Sequence, residues 1–157
     1  LKTACPGKRL KYSVLELGQV VEMAKLTIKD PEIEFYADLH ELRRVDLVFF
    51  GSSLQYFENR FEMLRSILEL SPMVVAICDS GMGDMPAFVT AQGNLPDRRI
   101  IPCWLNNRSS LVEFFLTQGY VLVNQFTNPR PDNFNNFPEY IKNSARYWSL
   151  VFKKITP

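Results

Sequence analysis

The stretch VDLVFFGSSLQYFEN, residues 45–59, sets Gly51, Ser52, Ser53, Gln55 and Tyr56 between a short apolar run and an amphipathic helix pattern. Read as a strand running into a helix, it crowds polar groups onto the strand's carboxyl end. In an open α/β sheet that edge is where ligands bind. A turn needing Gly and Ser for geometry alone is the alternative, and the residues themselves leave both readings open.

Other residue types that could do chemistry are sparse. Cys5, Cys78 and Cys103 are far apart, form no CxxC pair, and share the chain with a single histidine, His40. That spacing excludes a Cys/His zinc site, and no metal is expected. Cys78 falls in an apolar run and reads as a small buried hydrophobe. Gly81-Met82-Gly83-Asp84 has neither the GxGxxG spacing nor the Lys-Ser/Thr of a phosphate loop, so its glycines read as loop residues.

With 157 residues, the chain has the length of one domain. Its 18 basic and 17 acidic residues nearly cancel, and its basic pairs are too scattered to form a nucleic-acid groove. There is no bilayer-length apolar run and no signal-peptide pattern at the N-terminus. Odd, dispersed cysteines fit a reducing, cytoplasmic setting. Leu1 in place of Met suggests processing or a fragment.

The elements that must position the polar turn follow an alternating order. A basic turn at Pro6-Gly7 precedes a strand, Tyr12–Leu17, which ends near Glu16. Leu17, Val20, Val21, Ala24 and Ile28 repeat at helical spacing until Asp30-Pro31. A short strand at Ile33–Tyr36, one helical turn at His40–Arg44 and a third strand at Val45–Phe50 come next. Phe57, Phe61, Leu64, Ile67, Leu68 and Leu70 share a helix face, and Met73–Cys78 is apolar on both faces, as a central parallel strand should be. This alternation predicts an α/β doubly wound sheet.

Asp79–Trp104 lacks periodicity and is dense in Gly and Pro, so it reads as a long functional loop. A helix over Ser109–Gln118 follows, with Asn107 or Ser109 as N-cap and Gly119 in the C′ position. Tyr120–Phe126 and Tyr147–Ile155 are the last strands. The Asn- and Pro-rich connection Thr127–Ser144 suggests an antiparallel pair at the sheet edge.

This order resembles the C-terminal two-thirds of a class I S-adenosylmethionine-dependent methyltransferase. More narrowly it resembles a small bacterial methyltransferase family associated with surface-polysaccharide genes. The residues carrying the likeness are YSVLEL (Tyr12–Leu17), DLVFFGSSLQYF (Asp46–Phe57), VTAQGNLP (Val89–Pro96), IPCWLNNRSSLVEFFLTQGYVLV (Ile101–Val123) and SLVFKK (Ser149–Lys154).

The resemblance implies S-adenosylmethionine as cofactor and a small-molecule acceptor, a sugar hydroxyl or an amine. It implies that Glu16 accepts from the ribose hydroxyls, a task suited to a carboxylate. Asp38 is placed for the adenine amino group, although it could equally cap the following turn. Gly51 and Ser52 would line the floor under the methionine part, with Gln55, Tyr56 and Gln92 toward the acceptor and Tyr56 counted with Asp79 as catalytic. Asp79 is the better-placed base, ahead of His40, although the resembling family tends to carry a basic residue there. Asp84 and Thr90 read as structural loop residues.

The glycine-rich loop and first strand of this class have no counterpart before Tyr12, where Gly7 stands alone. The expected fold is thus a Rossmann-like open sheet, mostly parallel, with a C-terminal antiparallel pair and without its first strand. A single methyltransferase-like domain over residues 1–157, truncated at its N-terminus, is the corresponding expectation. Cofactor binding is then expected of the longer parent and is doubtful for this chain alone. A non-catalytic Rossmann-like binding or scaffolding module is the competing reading. Oligomeric state is left open.

Overall fold

A computed structural model describes residues 10–94, 99–128, 134 and 136–155. The chain divides into two units, Leu1–Arg44 and Val45–Pro157. Pro6-Gly7 and its expected turn lie outside the described residues.

In the first unit, β1 (Tyr12–Leu15), α1 (Gly18–Thr27) and β2 (Ile33–Tyr36) form a strand–helix–strand segment. β1 and β2 pair in parallel from Tyr12↔Ile33 to Leu15↔Tyr36, the arrangement that a helical crossover permits. Glu16 extends the ladder, its N–H donating to the Tyr36 carbonyl. α1 ends where Asp30 takes over: its side chain accepts from the Glu32 N–H, a local turn that competes with further helix. The expected helical turn at His40–Arg44 is a 3-10 turn at Leu39–Glu41, shifted because Asp38 caps it.

The second unit contains β3 (Leu47–Gly51), a 3-10 turn at Leu54–Tyr56, α2 (Arg60–Glu69), β4 (Val74–Gly83), β5 (Phe88–Asn94), β6 (Arg99–Asn107), α3 (Arg108–Thr117), β7 (Tyr120–Thr127), α4 (Glu139–Ser144) and β8 (Arg146–Lys154). Across the sheet the order is β3, β4, β8, β7. β3 and β4 run parallel, and β8 is antiparallel to both β4 and β7. The expected antiparallel pair is present, but only β7 lies at the edge; β8 is interior. Among the described residues β1 pairs with β2 alone and β3 with β4 alone.

Asp79–Trp104 differs most from expectation. β4 continues to Gly83, and β5 and β6 form an antiparallel ribbon registered from Phe88↔Leu105 to Asn94↔Arg99. β6 joins the sheet beside the far end of β4, through Met82↔Asn106 and Gly83↔Asn107. Gly93 and Pro102 lie within these strands, where as local punctuation they argue for a loop. A two-stranded ribbon tolerates them because its register is set by cross-strand pairing. α4 was likewise not expected within Thr127–Ser144; its single buried residue, Ile141, gives no periodicity to read.

The core sits between the sheet and its helices. Leu54, Leu64, Val75, Ile77, Phe115, Leu150 and Phe152 are fully buried, with the Phe115 and Phe152 rings stacked at 3.9 Å between centroids. Tyr120 joins them and donates its hydroxyl to the Pro72 carbonyl at 2.7 Å, satisfying the one polar atom that its ring carries inside. Asn107 caps α3 by accepting from the Ser110 N–H, and Gly119 follows the helix at φ +79°, as the sequence predicts. Cys78 is only half-buried.

Among the described residues no helix is long and apolar enough to cross a membrane.

Candidate active site

β3 ends at Gly51 whereas β4 runs on through Asp79 to Gly83, so Asp79 lies inside a strand and not at its end, and the difference builds the site. The parallel ladder runs one residue past Gly51, with the Ser52 N–H donating to the Cys78 carbonyl at 2.9 Å. A side chain at Gly51 would collide with the Phe49 ring, 2.6 Å from where its Cβ would stand. Ser52 then takes a left-handed conformation, φ 53°. On β4, Cys78 and Asp79 together oppose the single residue Ser149 of β8, since the register steps from Ile77↔Leu150 to Ser80↔Trp148. That is a β-bulge, a device that re-aims a side chain. Asp79 lies in it at φ 58°.

Two neighbouring non-glycine residues are thus held in the left-handed region, at a cost of about 1–2 kcal/mol for the serine and less for the aspartate, whose short polar side chain tolerates it, and their surroundings must offset this. The offset is visible. Ser52 Oγ donates to Asp79 Oδ2 at 2.7 Å, and Asn128 Nδ2 donates to Asp79 Oδ1 at 2.7 Å. The Asp79 N–H donates to Ser149 Oγ at 3.2 Å. Behind them, Gln55 Nε2 donates to the Ser52 carbonyl at 2.9 Å, and Ser80 Oγ donates to Gln55 Oε1 at 2.7 Å. Four segments meet there.

The residues singled out from sequence fall into three groups. Gly51 ends β3, and next to it Ser52, Gln55 and Asp79 form one connected network beside the bulge in β4. Gln55, expected to face the acceptor, is instead buried at 7% exposure with both ends of its amide bonded inside the protein, so it braces the turn. Tyr56 and Gln92 form a second pair, the tyrosine hydroxyl donating to Gln92 Oε1 at 2.9 Å and tying the 3-10 turn to β5. Glu16 and Asp38 belong to the first unit. Glu16 is exposed and, among the described residues, its side chain takes only a long 3.4 Å bond from the Leu17 N–H. Asp38 Oδ1 accepts from the His40 N–H at 2.9 Å, which is the capping role that sequence left open. His40 is exposed in the same unit. Thr90 lies in β5 opposite Cys103, and Asp84 follows β4 directly, its carboxylate 3.2 Å from Arg108.

Sequence reasoning missed Ser80, Asn128 and Ser149. The last two reach Asp79 from 49 and 70 residues away, so no local spacing could reveal them. It also missed a cavity of about 310 Å³ whose walls include Arg60, Phe61, Met85 and Asn106. Arg60 is 9% exposed, its guanidinium carbon 3.8 Å above the Trp104 ring centroid and 5.0 Å from that of Phe61. Burial pushes its pKa below the ordinary guanidinium range. Asn106 is 1% exposed, and neither Oδ1 nor Nδ2 has a hydrogen-bond partner.

No protein-family model matches this chain, and no curated protein does. Solved structures do. LepI in complex with SAM aligns over 98% of this chain at a TM-score of 0.61 and 14% identity. The N-terminal domain of EvdMO1, determined in the presence of SAH and D-fucose, aligns over 96% at 0.64 and 11%; this chain covers 68% of that one. The 1,6-didemethyltoxoflavin-N1-methyltransferase of Burkholderia thailandensis, with 1,6-didemethyltoxoflavin and S-adenosylhomocysteine bound, aligns over 96% at 0.53 and 16%. This chain spans 39% of the LepI chain and 63% of the toxoflavin methyltransferase. At such identities the likeness is one of fold: an α/β, Rossmann-like arrangement with a mixed sheet.

Proposed function

We propose that this protein is an S-adenosylmethionine-dependent methyltransferase acting on a small polar acceptor. The observation that carries the proposal is the fold likeness over nearly the whole chain to structures that hold SAM or SAH. A sugar hydroxyl or an amine, and a setting among surface-polysaccharide genes, are the finer expectations; they rest on the sequence resemblance alone.

The residues fit such a cofactor unequally. Glu16 has an exposed carboxylate with acceptor sites to spare for two ribose hydroxyls. Asp38 has already committed one oxygen to its cap and offers the other to the adenine amino group. Within the second unit, Gly51 ends β3 and Ser52 fixes the direction in which the chain leaves it, the turn that the resemblance assigns to the methionine side.

When bound, the cofactor supplies a methyl group on a sulfonium, transferred by in-line displacement, so the protein's task is mainly positioning. Tyr56 and Gln92, joined through their hydrogen bond, hold the acceptor side of the turn. A hydroxyl acceptor must also lose a proton. Asp79 takes it on a carboxylate oxygen, while Ser52 and Asn128 fix the direction of the group. Gln55 and Ser80 keep the turn from relaxing.

Isothermal titration with S-adenosylhomocysteine, using the protein as its gene encodes it, tests this. Saturable binding is expected, weakened about tenfold or more by Glu16→Ala, which removes charge-assisted acceptors worth about 1.5–3 kcal/mol. Absence of saturable heat at millimolar ligand overturns the enzyme reading and favours the non-catalytic module.

A further inference from the structure

We propose that the cavity at the head of α2 is a binding site for a small organic carboxylate carried on an apolar body. The inference stands on the second unit alone and does not depend on methyl transfer.

Arg60 supplies the first observation. An arginine this buried is ordinarily found with a carboxylate or several carbonyls, because an uncompensated charge away from water is costly. Among the described residues Arg60 makes no hydrogen bond and no ion pair; its described interactions are with the faces of Trp104 and Phe61. Stacking uses the π-face of a guanidinium and leaves its in-plane N–H groups free to donate. Arg60 is therefore held rigidly with its donors unspent, and it lines the cavity.

Asn106 is the second and independent observation. Its amide is almost wholly buried, lines the same cavity, and lacks a partner at both ends. Its neighbour Asn107 spends its amide on the cap of α3 and on the Met85 carbonyl, so the two asparagines are used differently. A buried amide with two open ends, beside a buried guanidinium with open donors, matches a ligand bearing oxygen acceptors and a hydroxyl or amine donor.

The walls narrow the class. Phe61, Met85 and Pro86 give the cavity an apolar side, and about 310 Å³ falls at the small end of ligand pockets. The guanidinium fork matches a planar carboxylate in two parallel hydrogen bonds. One stacked cation, with Asp84 also among the lining residues, favours a monoanion over a doubly charged phosphate.

Titration calorimetry of the intact protein at constant ionic strength, with sodium benzoate, benzamide and inorganic phosphate as separate probes, tests the proposal. Benzoate is expected to bind saturably, and the neutral isostere benzamide and phosphate each at least about tenfold more weakly. Arg60→Met keeps an apolar stem over Trp104 and should lose benzoate by a similar factor, as should Asn106→Leu. No saturable benzoate binding, equal binding of benzamide, tighter binding of phosphate, or unchanged affinity in a folded Arg60→Met protein would each overturn it. Should either variant fail to fold, the comparison of benzoate with benzamide on the unaltered protein still decides.

Discussion

Replacing Asp79 separates what its carboxylate does from what its backbone costs. The residue accepts from Ser52 and Asn128 and lies at φ 58°. Asp79→Ala removes both side-chain acceptors. Hydrogen bonds to an ionised group contribute about 1.5–3 kcal/mol, and at this half-buried position water can replace part of the loss, so the low end applies to the pair together. Alanine at a positive φ adds about 1 kcal/mol. The expected destabilisation is therefore about 2.5 kcal/mol. Asp79→Gly loses the same bonds but tolerates the backbone, and should be about 1 kcal/mol less harmful than alanine. Asp79→Asn should cost below about 1 kcal/mol, since asparagine tolerates positive φ, its Oδ1 can accept from Asn128, and the rotatable Ser52 hydroxyl can accept from its Nδ2. Equilibrium urea unfolding measures all three, with equal m values required before midpoints are compared. Equal costs for Gly and Ala would refute the claim that the bulge imposes a strained conformation. An asparagine variant as unstable as alanine would refute the claim that hydrogen-bond geometry outweighs charge.

Two further outcomes follow from other parts of the fold. Asn107→Ala should destabilise by about 1–2 kcal/mol in urea, because it removes the cap on α3 together with the bond to the Met85 carbonyl; Asn107→Asp, which keeps the cap alone, should fall between alanine and the native residue. Burial pushes the Cys103 thiol above its ordinary range. In the folded protein its thiolate should form only at more alkaline pH, and the stability that burial confers should fade as pH rises through that raised value. Iodoacetamide labelling read residue by residue should accordingly find Cys103 slower than free cysteine at pH about 8, with the gap closing in urea.

Much of this protein was written in local pattern. The helical spacing at 57–70, the two-sided apolar run at 73–78, the asparagine before α3 and the glycine after it each depend on neighbours a few residues away. Their elements therefore stand close to where sequence put them. The polar turn after β3 was visible for the same reason, because Gly51 and Ser52 punctuate an apolar run.

The remainder was decided by contacts between distant residues. Asp79 reads from sequence as a strand-end acid; only the mismatch of β4 against β8 makes it a bulge residue tied to Asn128 and Ser149. Gln55 looks like a residue for a ligand until Ser80 is brought beneath it. β5 and β6 carry breakers that argue for a loop, and cross-strand register overrides them. Arg60 is one basic residue at a helix start by sequence, and becomes a buried, stacked and unpaired cation only when Trp104 and Asn106 arrive from β6. Sequence by itself thus determined the elements and the edge at which polar groups collect, since propensity and periodicity act along the chain. Which of those groups are spent on the fold and which remain open to a ligand was decided by packing alone, because hydrogen-bond partners and burial are properties of the folded surroundings.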